Sequence, residues 1–153
     1  LLPVGRTALP LAPRDPWIEL HAALSLMAYG AFALAGLAGF MYLLQDHQLK
    51  KRKAGRLFYH LPPVNDLAVV NTRLVWLGLG LLTAGFAAGL VSGMPVNSVK
   101  FWTAVAIWAV YALLMALRQF QSLAPRRVAA LSMAVFVAAL MALPAIQYLS
   151  APR

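Results

Sequence analysis

His21 stands inside a long apolar run at residues 17–44 that also carries Glu19, Ser25 and Tyr29. A histidine at bilayer depth is costly unless a partner, a ligand or water meets its ring. His21, Ser25, Tyr29 and Phe32 recur at helical spacing, which puts them on one stripe of a helix. A planar or polar ligand can meet such a stripe all at once, with an imidazole nitrogen offered to a haem iron. The plainer alternative is an interfacial histidine that hydrogen-bonds to Glu19 or to water. His21 is therefore the candidate metal ligand, and Ser25 and Tyr29 are candidate cofactor contacts. Arg73 is a further candidate. Its guanidinium can pair with a propionate or with Asp66, or it can snorkel to lipid headgroups.

The other chemistry-bearing residues point to less. His47 and His60 fall in a basic connection, where solvated histidine is commonplace. The cations at residues 50–56 can bind anionic headgroups or simply fix topology. Trp102, Trp108 and Tyr111 can line a haem-sized groove, but interfacial belts and packing account for them equally well. There is no nucleophile elbow, no Gly-rich phosphate loop, no His-Glu-x-x-His and no acidic pair within a span, so autonomous catalysis is not expected. Four acidic residues, all near or beyond an interface, give no proton path. The absence of cysteine excludes disulfides, thiolate metal sites and thioether attachment of haem to this chain.

The elements that position these residues follow from composition. With 62% hydrophobic and 11% charged residues and a mean hydropathy of +0.75, there is too little polar surface to cover a soluble globule. A hydrocarbon core about 30 Å thick takes roughly 20 apolar residues of helix. Four such runs occur, at about 17–44, 74–92, 101–117 and 128–149, so the expected fold is all-α, a polytopic membrane protein of four transmembrane helices. Residues 1–16, with Pro3, Pro10, Pro13 and Pro16, read as an irregular external arm. They lack the layout of a signal peptide, and the start at Leu1 suggests a fragment or a processed chain. Residues 64–71 suggest a short interfacial helix, and residues 93–97 a turn. Pro144 is placed to kink the last turns of the fourth helix. Gly78, Gly85 and Gly89 allow close helix approach.

The net charge of +9 is not the mark of a nucleic-acid binder, because the cations flank apolar runs. Nine Lys and Arg fall on one side of a four-pass layout: Lys50, Lys51, Arg52, Lys53, Arg56, Arg73, Arg118, Arg126 and Arg127. Four fall on the other: Arg6, Arg14, Lys100 and Arg153. The basic side is expected in the cytoplasm and both termini outside.

The segments Leu20-His21-Ala22-Ala23-Leu24-Ser25-Leu26-Met27-Ala28-Tyr29-Gly30, Tyr42-Leu43-Leu44-Gln45, Gln48-Leu49-Lys50, Leu61-Pro62-Pro63 and Arg73-Leu74-Val75 together resemble the C-terminal half of a cytochrome c assembly protein of the CcsA, CcmC and HemX-like group. Ile107-Trp108-Ala109-Val110-Tyr111-Ala112-Leu113-Leu114, followed by Arg126-Arg127 and a last helix, is similar in order and spacing. The resemblance covers nearly the whole chain from about Trp17. It implies a multi-pass protein of the bacterial inner membrane, with both termini on the periplasmic side, that handles haem, with His21 as an axial ligand. The Trp-rich external motif of the haem-presenting members is absent between the second and third helices. A second ligand histidine is also missing in the later helices, where Met115 and Ala116 stand. The chain is thus closer to the HemX-type branch, and the family usually carries further helices before this region.

Two readings follow. One is a haem-handling or cytochrome c maturation component in which His21 supplies one ligand. The other is a structural or accessory subunit without cofactor, packed through small-residue faces against other membrane helices or subunits. Half of a transporter is disfavoured, since no broken helix with intramembrane polar backbone is evident.

Overall fold

The computed structural model describes residues 15–51, 63–121 and 123–149, with side chains as far as residue 142. Four helices follow in order: α1 (Pro16–Lys50), α2 (Val64–Val91), α3 (Val99–Gln121) and α4 (Pro125–Leu149). All four are long and apolar enough to cross a membrane, and there is no strand among the described residues. The protein is an all-α, four-helix membrane protein. The external arm up to residue 14, His60 and the cluster at residues 52–56 lie outside the described residues.

α1 starts where the sequence offers two start signals together. The Asp15 carboxylate accepts a hydrogen bond from the Trp17 amide at 2.9 Å, and Pro16 occupies the first turn, where its missing N–H is no loss. With 35 residues, α1 is about 52 Å long at 1.5 Å per residue. It therefore outruns the hydrocarbon core, and the basic residues Lys50 and Lys51 sit beyond its apolar stretch.

α2 begins ten residues before the expected span. Residues 64–71 do not form a separate interfacial helix; they run without a break into the apolar stretch. No helix breaker stands between Val64 and Leu74, and Asn71, polar in the sequence, points inward and is only 1% exposed. Arg73 consequently lies within α2, on an exposed face, rather than at a helix border. α4 remains helical through Pro144 to Leu149.

α1 and α2 form the tightest pair, α4 covers another face of α1, and α3 leans on α4 with a looser seam to α2. The α1/α2 register is antiparallel and uses small residues. The position a Cβ would take on Gly78 is 2.6 Å from the Phe32 ring, that on Gly85 is 3.3 Å from Ser25 Oγ, that on Gly89 is 2.9 Å from His21 Nδ1, and that on Gly39 is 3.2 Å from Asn71 Nδ2. Each step down α1 meets a step up α2, which is the close backbone approach that helix association in lipid favours. Phe32, seated on Gly78, stacks on Tyr111 of α3 with ring centroids 4.1 Å apart and planes 4° from parallel. These rings join Ala28, Val75, Leu79 and Met115 in the central core. Leu26, Met27, Leu113 and Met141 are exposed on outward faces, as a lipid-facing surface requires.

Candidate functional site

At the end of the bundle where α1 begins, His21, Ser25 and Tyr29 come to one cavity of about 410 Å3. Its apolar wall is made by Leu82 and Phe86 of α2 and Phe101 and Ala104 of α3, while Met94, Pro95 and Ser98 of the α2–α3 turn and Lys100 border it. This is a volume in the range of small-molecule sites, mainly apolar with a few polar groups. Among the described residues, neither Ser25 nor Tyr29 has a hydrogen-bond partner for its side chain, so both hydroxyls remain available to whatever enters. Phe32, on the same stripe, is in the core instead.

The imidazole of His21 is fixed by α2. Its Nδ1 lies 2.7 Å from the Gly85 carbonyl oxygen. A carbonyl can only accept, so Nδ1 carries the proton and donates. In the neutral ring this leaves Nε2 with the free lone pair, the arrangement in which a histidine serves as a metal ligand with its other nitrogen held by a backbone carbonyl. The ring can approach α2 this closely because Gly89 has no side chain: a Cβ there would stand 2.9 Å from Nδ1 and 3.3 Å from Cε1. Two glycines four apart on α2 thus face His21 and Ser25, four apart on α1.

Arg73 is not part of this cavity. It lies twelve residues before Gly85 on α2, about 18 Å along the axis, and the cation that does border the cavity is Lys100. Nor do the three aromatic residues of α3 share a groove. Trp102 is exposed, Trp108 donates from Nε1 to Thr83 Oγ1 at 2.9 Å on the α2 side, and Tyr111 is fully buried against Phe32. Met115, also fully buried, is in the core.

The opposite end of the bundle is built differently. Asn71 Nδ2 donates to the Ala35 carbonyl at 2.6 Å and to Ser132 Oγ at 2.9 Å. The Ser132 hydroxyl donates to the Ala129 carbonyl at 3.0 Å, and Tyr111 donates to the Ser132 carbonyl at 3.2 Å. Asp46 receives Lys50 at 3.1 Å and Arg126 at 3.4 Å, and Arg118 bonds to the Thr72 hydroxyl. This network joins four helices. Among the described residues, no group of three or more His, Cys, Asp or Glu side chains is placed to hold a bare metal ion. A group that brings its own equatorial ligands, such as a haem, needs only one or two donors from the protein.

A profile of the family described as cytochrome C assembly protein matches residues 3–151. The chain belongs to the cytochrome c assembly protein family. Among relatives of this family member, Protein HemX of Brevibacillus brevis is 35% identical over 81 residues, covering 53% of this chain and 30% of that protein. A 28.8 kDa protein of Azospirillum brasilense is 35% identical over 80 residues, 52% of this chain and 28% of that protein. Protein HemX of Bacillus subtilis is 24% identical over 85 residues, 56% of this chain and 31% of that protein. The matched stretches therefore span less than a third of each relative. No solved structure matches the chain.

Proposed function

We propose that this membrane protein handles haem in cytochrome c biogenesis, holding it in the cavity between α1, α2 and the start of α3 with His21 as an axial ligand. The observation that carries the reading is the bond from His21 Nδ1 to the Gly85 carbonyl, which leaves Nε2 for a metal. The residues present fit the group. The imidazole sits in a cradle that a Cβ on Gly89 would fill, the walls of Leu82, Phe86, Phe101 and Ala104 suit a flat apolar ring, and Ser25, Tyr29 and Lys100 supply polar handles at its margin. Lys100, rather than Arg73, takes the role of pairing with a carboxylate of the ligand. A bound haem supplies an iron centre and two carboxylates. The protein's part is to orient the ring, fix the histidine tautomer and keep the iron face out of water.

The bundle is oriented with its basic end, carrying Lys50, Lys51, Arg126 and Arg127, in the cytoplasm of a bacterial cell and the His21 end at the outer face of the inner membrane. Because the chain has no cysteine, single cysteines report on this cleanly. An impermeant maleimide added to intact spheroplasts labels Val96→Cys and leaves Lys51→Cys unlabelled; the reverse pattern overturns the orientation.

The test of function is the absorption spectrum of the detergent-purified protein, oxidised and dithionite-reduced, with a pyridine haemochrome assay. Stoichiometric haem that is lost in His21→Ala supports the reading. A folded but haem-free protein that also fails to take up added haem overturns it and leaves an accessory subunit without cofactor.

A further inference from the structure

The cavity offers one soft donor besides His21, and the turn between α2 and α3 puts it there. α2 ends when Gly93 takes a left-handed backbone with φ of 73°. The Gly93 amide then bonds to the Leu90 carbonyl and the Met94 amide to the Gly89 carbonyl, both at 3.1 Å. This helix-ending motif turns the residue after the glycine back over the last turn of the helix. Met94 is that residue, and its Sδ lies 3.3 Å from the point where a Cβ on Gly89 would stand. The same point is 3.3 Å from Cε1 of His21. Thioether and imidazole thus converge on one glycine and border one cavity. Their separation is at most those two contacts end to end, within the swing of an unbranched side chain with three rotatable bonds.

We infer that Met94 is the second axial donor of the site, giving a methionine–histidine pair on the haem iron; this rests on the haem reading of the cavity. The chemistry of the lining favours Met94 over its neighbours. A thioether coordinates as a neutral group, so the dative bond from sulfur to iron forms without releasing a proton or changing the iron's oxidation state. The hydroxyls of Ser25, Ser98 and Tyr29 and the ammonium of Lys100 must each lose a proton to become strong donors. A methionine–histidine pair also raises the reduction potential of haem iron. The bland role for Met94 is the apolar contact that accompanies such a helix end, and a leucine fills that role as well, which makes the two separable.

The experiment titrates ferric haem into the detergent-purified full chain as the wild type, Met94→Leu and Met94→His. Far-UV helicity and gel filtration show that each variant is folded. The wild type is expected to give a low-spin ferric spectrum with the weak sulfur-to-iron charge-transfer band at its red end. Met94→Leu is expected to bind haem but lose that band, turn high-spin and fall in reduction potential. Met94→His is expected to stay low-spin without the band and at a lower potential than the wild type. Identical ferric spectra and potentials for the wild type and Met94→Leu overturn the assignment of Met94 while leaving His21 as a ligand. A wild type that takes up no haem overturns both.

Discussion

Around Asn71, the side chains of Asn71, Ser132 and Tyr111 are tied into one hydrogen-bond network; at the end of the bundle that carries His21, polar side chains border an open space. Asn71, Ser132 and Tyr111 bond within one network that takes in three backbone carbonyls, those of Ala35, Ala129 and Ser132, with contacts so close that a Cβ on Gly39 would lie 2.9 Å from the Ala129 carbonyl. Around the cavity, in contrast, a single long-range bond fixes His21, and Ser25 and Tyr29 have no partner among the described residues. The difference separates two tasks. The Asn71 network ties four helices together, while Ser25 and Tyr29 stay open to a ligand that enters the cavity.

Substitutions at matched positions test that separation. The largest effect on assembly is expected from Gly39→Ala, whose new methyl meets backbone rather than a movable side chain. Overpacking of this kind costs about 1–3 kcal/mol, and unfolding in mixed micelles should show it, with haem affinity of the surviving folded protein unchanged. Gly89→Ala should do the reverse. Its methyl pushes on the His21 ring, which can swing away, so stability moves little. Loss of the carbonyl partner that orients a ligand costs about 10- to 100-fold in affinity, to be read by haem titration. Asn71→Ala should cost about 1 kcal/mol, the scale of interhelical hydrogen bonds in membranes, and leave the haem spectrum untouched. A change in that spectrum would mean that the two ends are coupled. Lys50→Ala, at an exposed pair, should shift stability by at most about 0.5 kcal/mol.

Much of this was written in local sequence. The four apolar runs are as long as the bilayer demands, and the stripe of His21, Ser25 and Tyr29 follows from helical period alone. The glycines of α2 announced close packing, although only the register of α1 against α2 shows that Gly85 and Gly89 face His21 and Ser25. What the sequence hid was tertiary. Residues 64–71 read as a separate interfacial helix, because nothing local says that Asn71 turns inward to bond α1 and α4. Trp102, Trp108 and Tyr111 share an element yet point to lipid, to α2 and to the core. Met94 and Lys100 gave no signal, since their place at the cavity depends on how one left-handed glycine ends α2 and starts the path to α3.

The central claim is that His21 meets the iron through Nε2 from the cavity side. The most direct test is the spectrum of haem-loaded His21→Gly before and after addition of free imidazole, with the wild type beside it. Loss of the native spectrum in the variant and its return when imidazole fills the vacated place is the result predicted here; a variant whose haem spectrum matches the wild type without imidazole would contradict it.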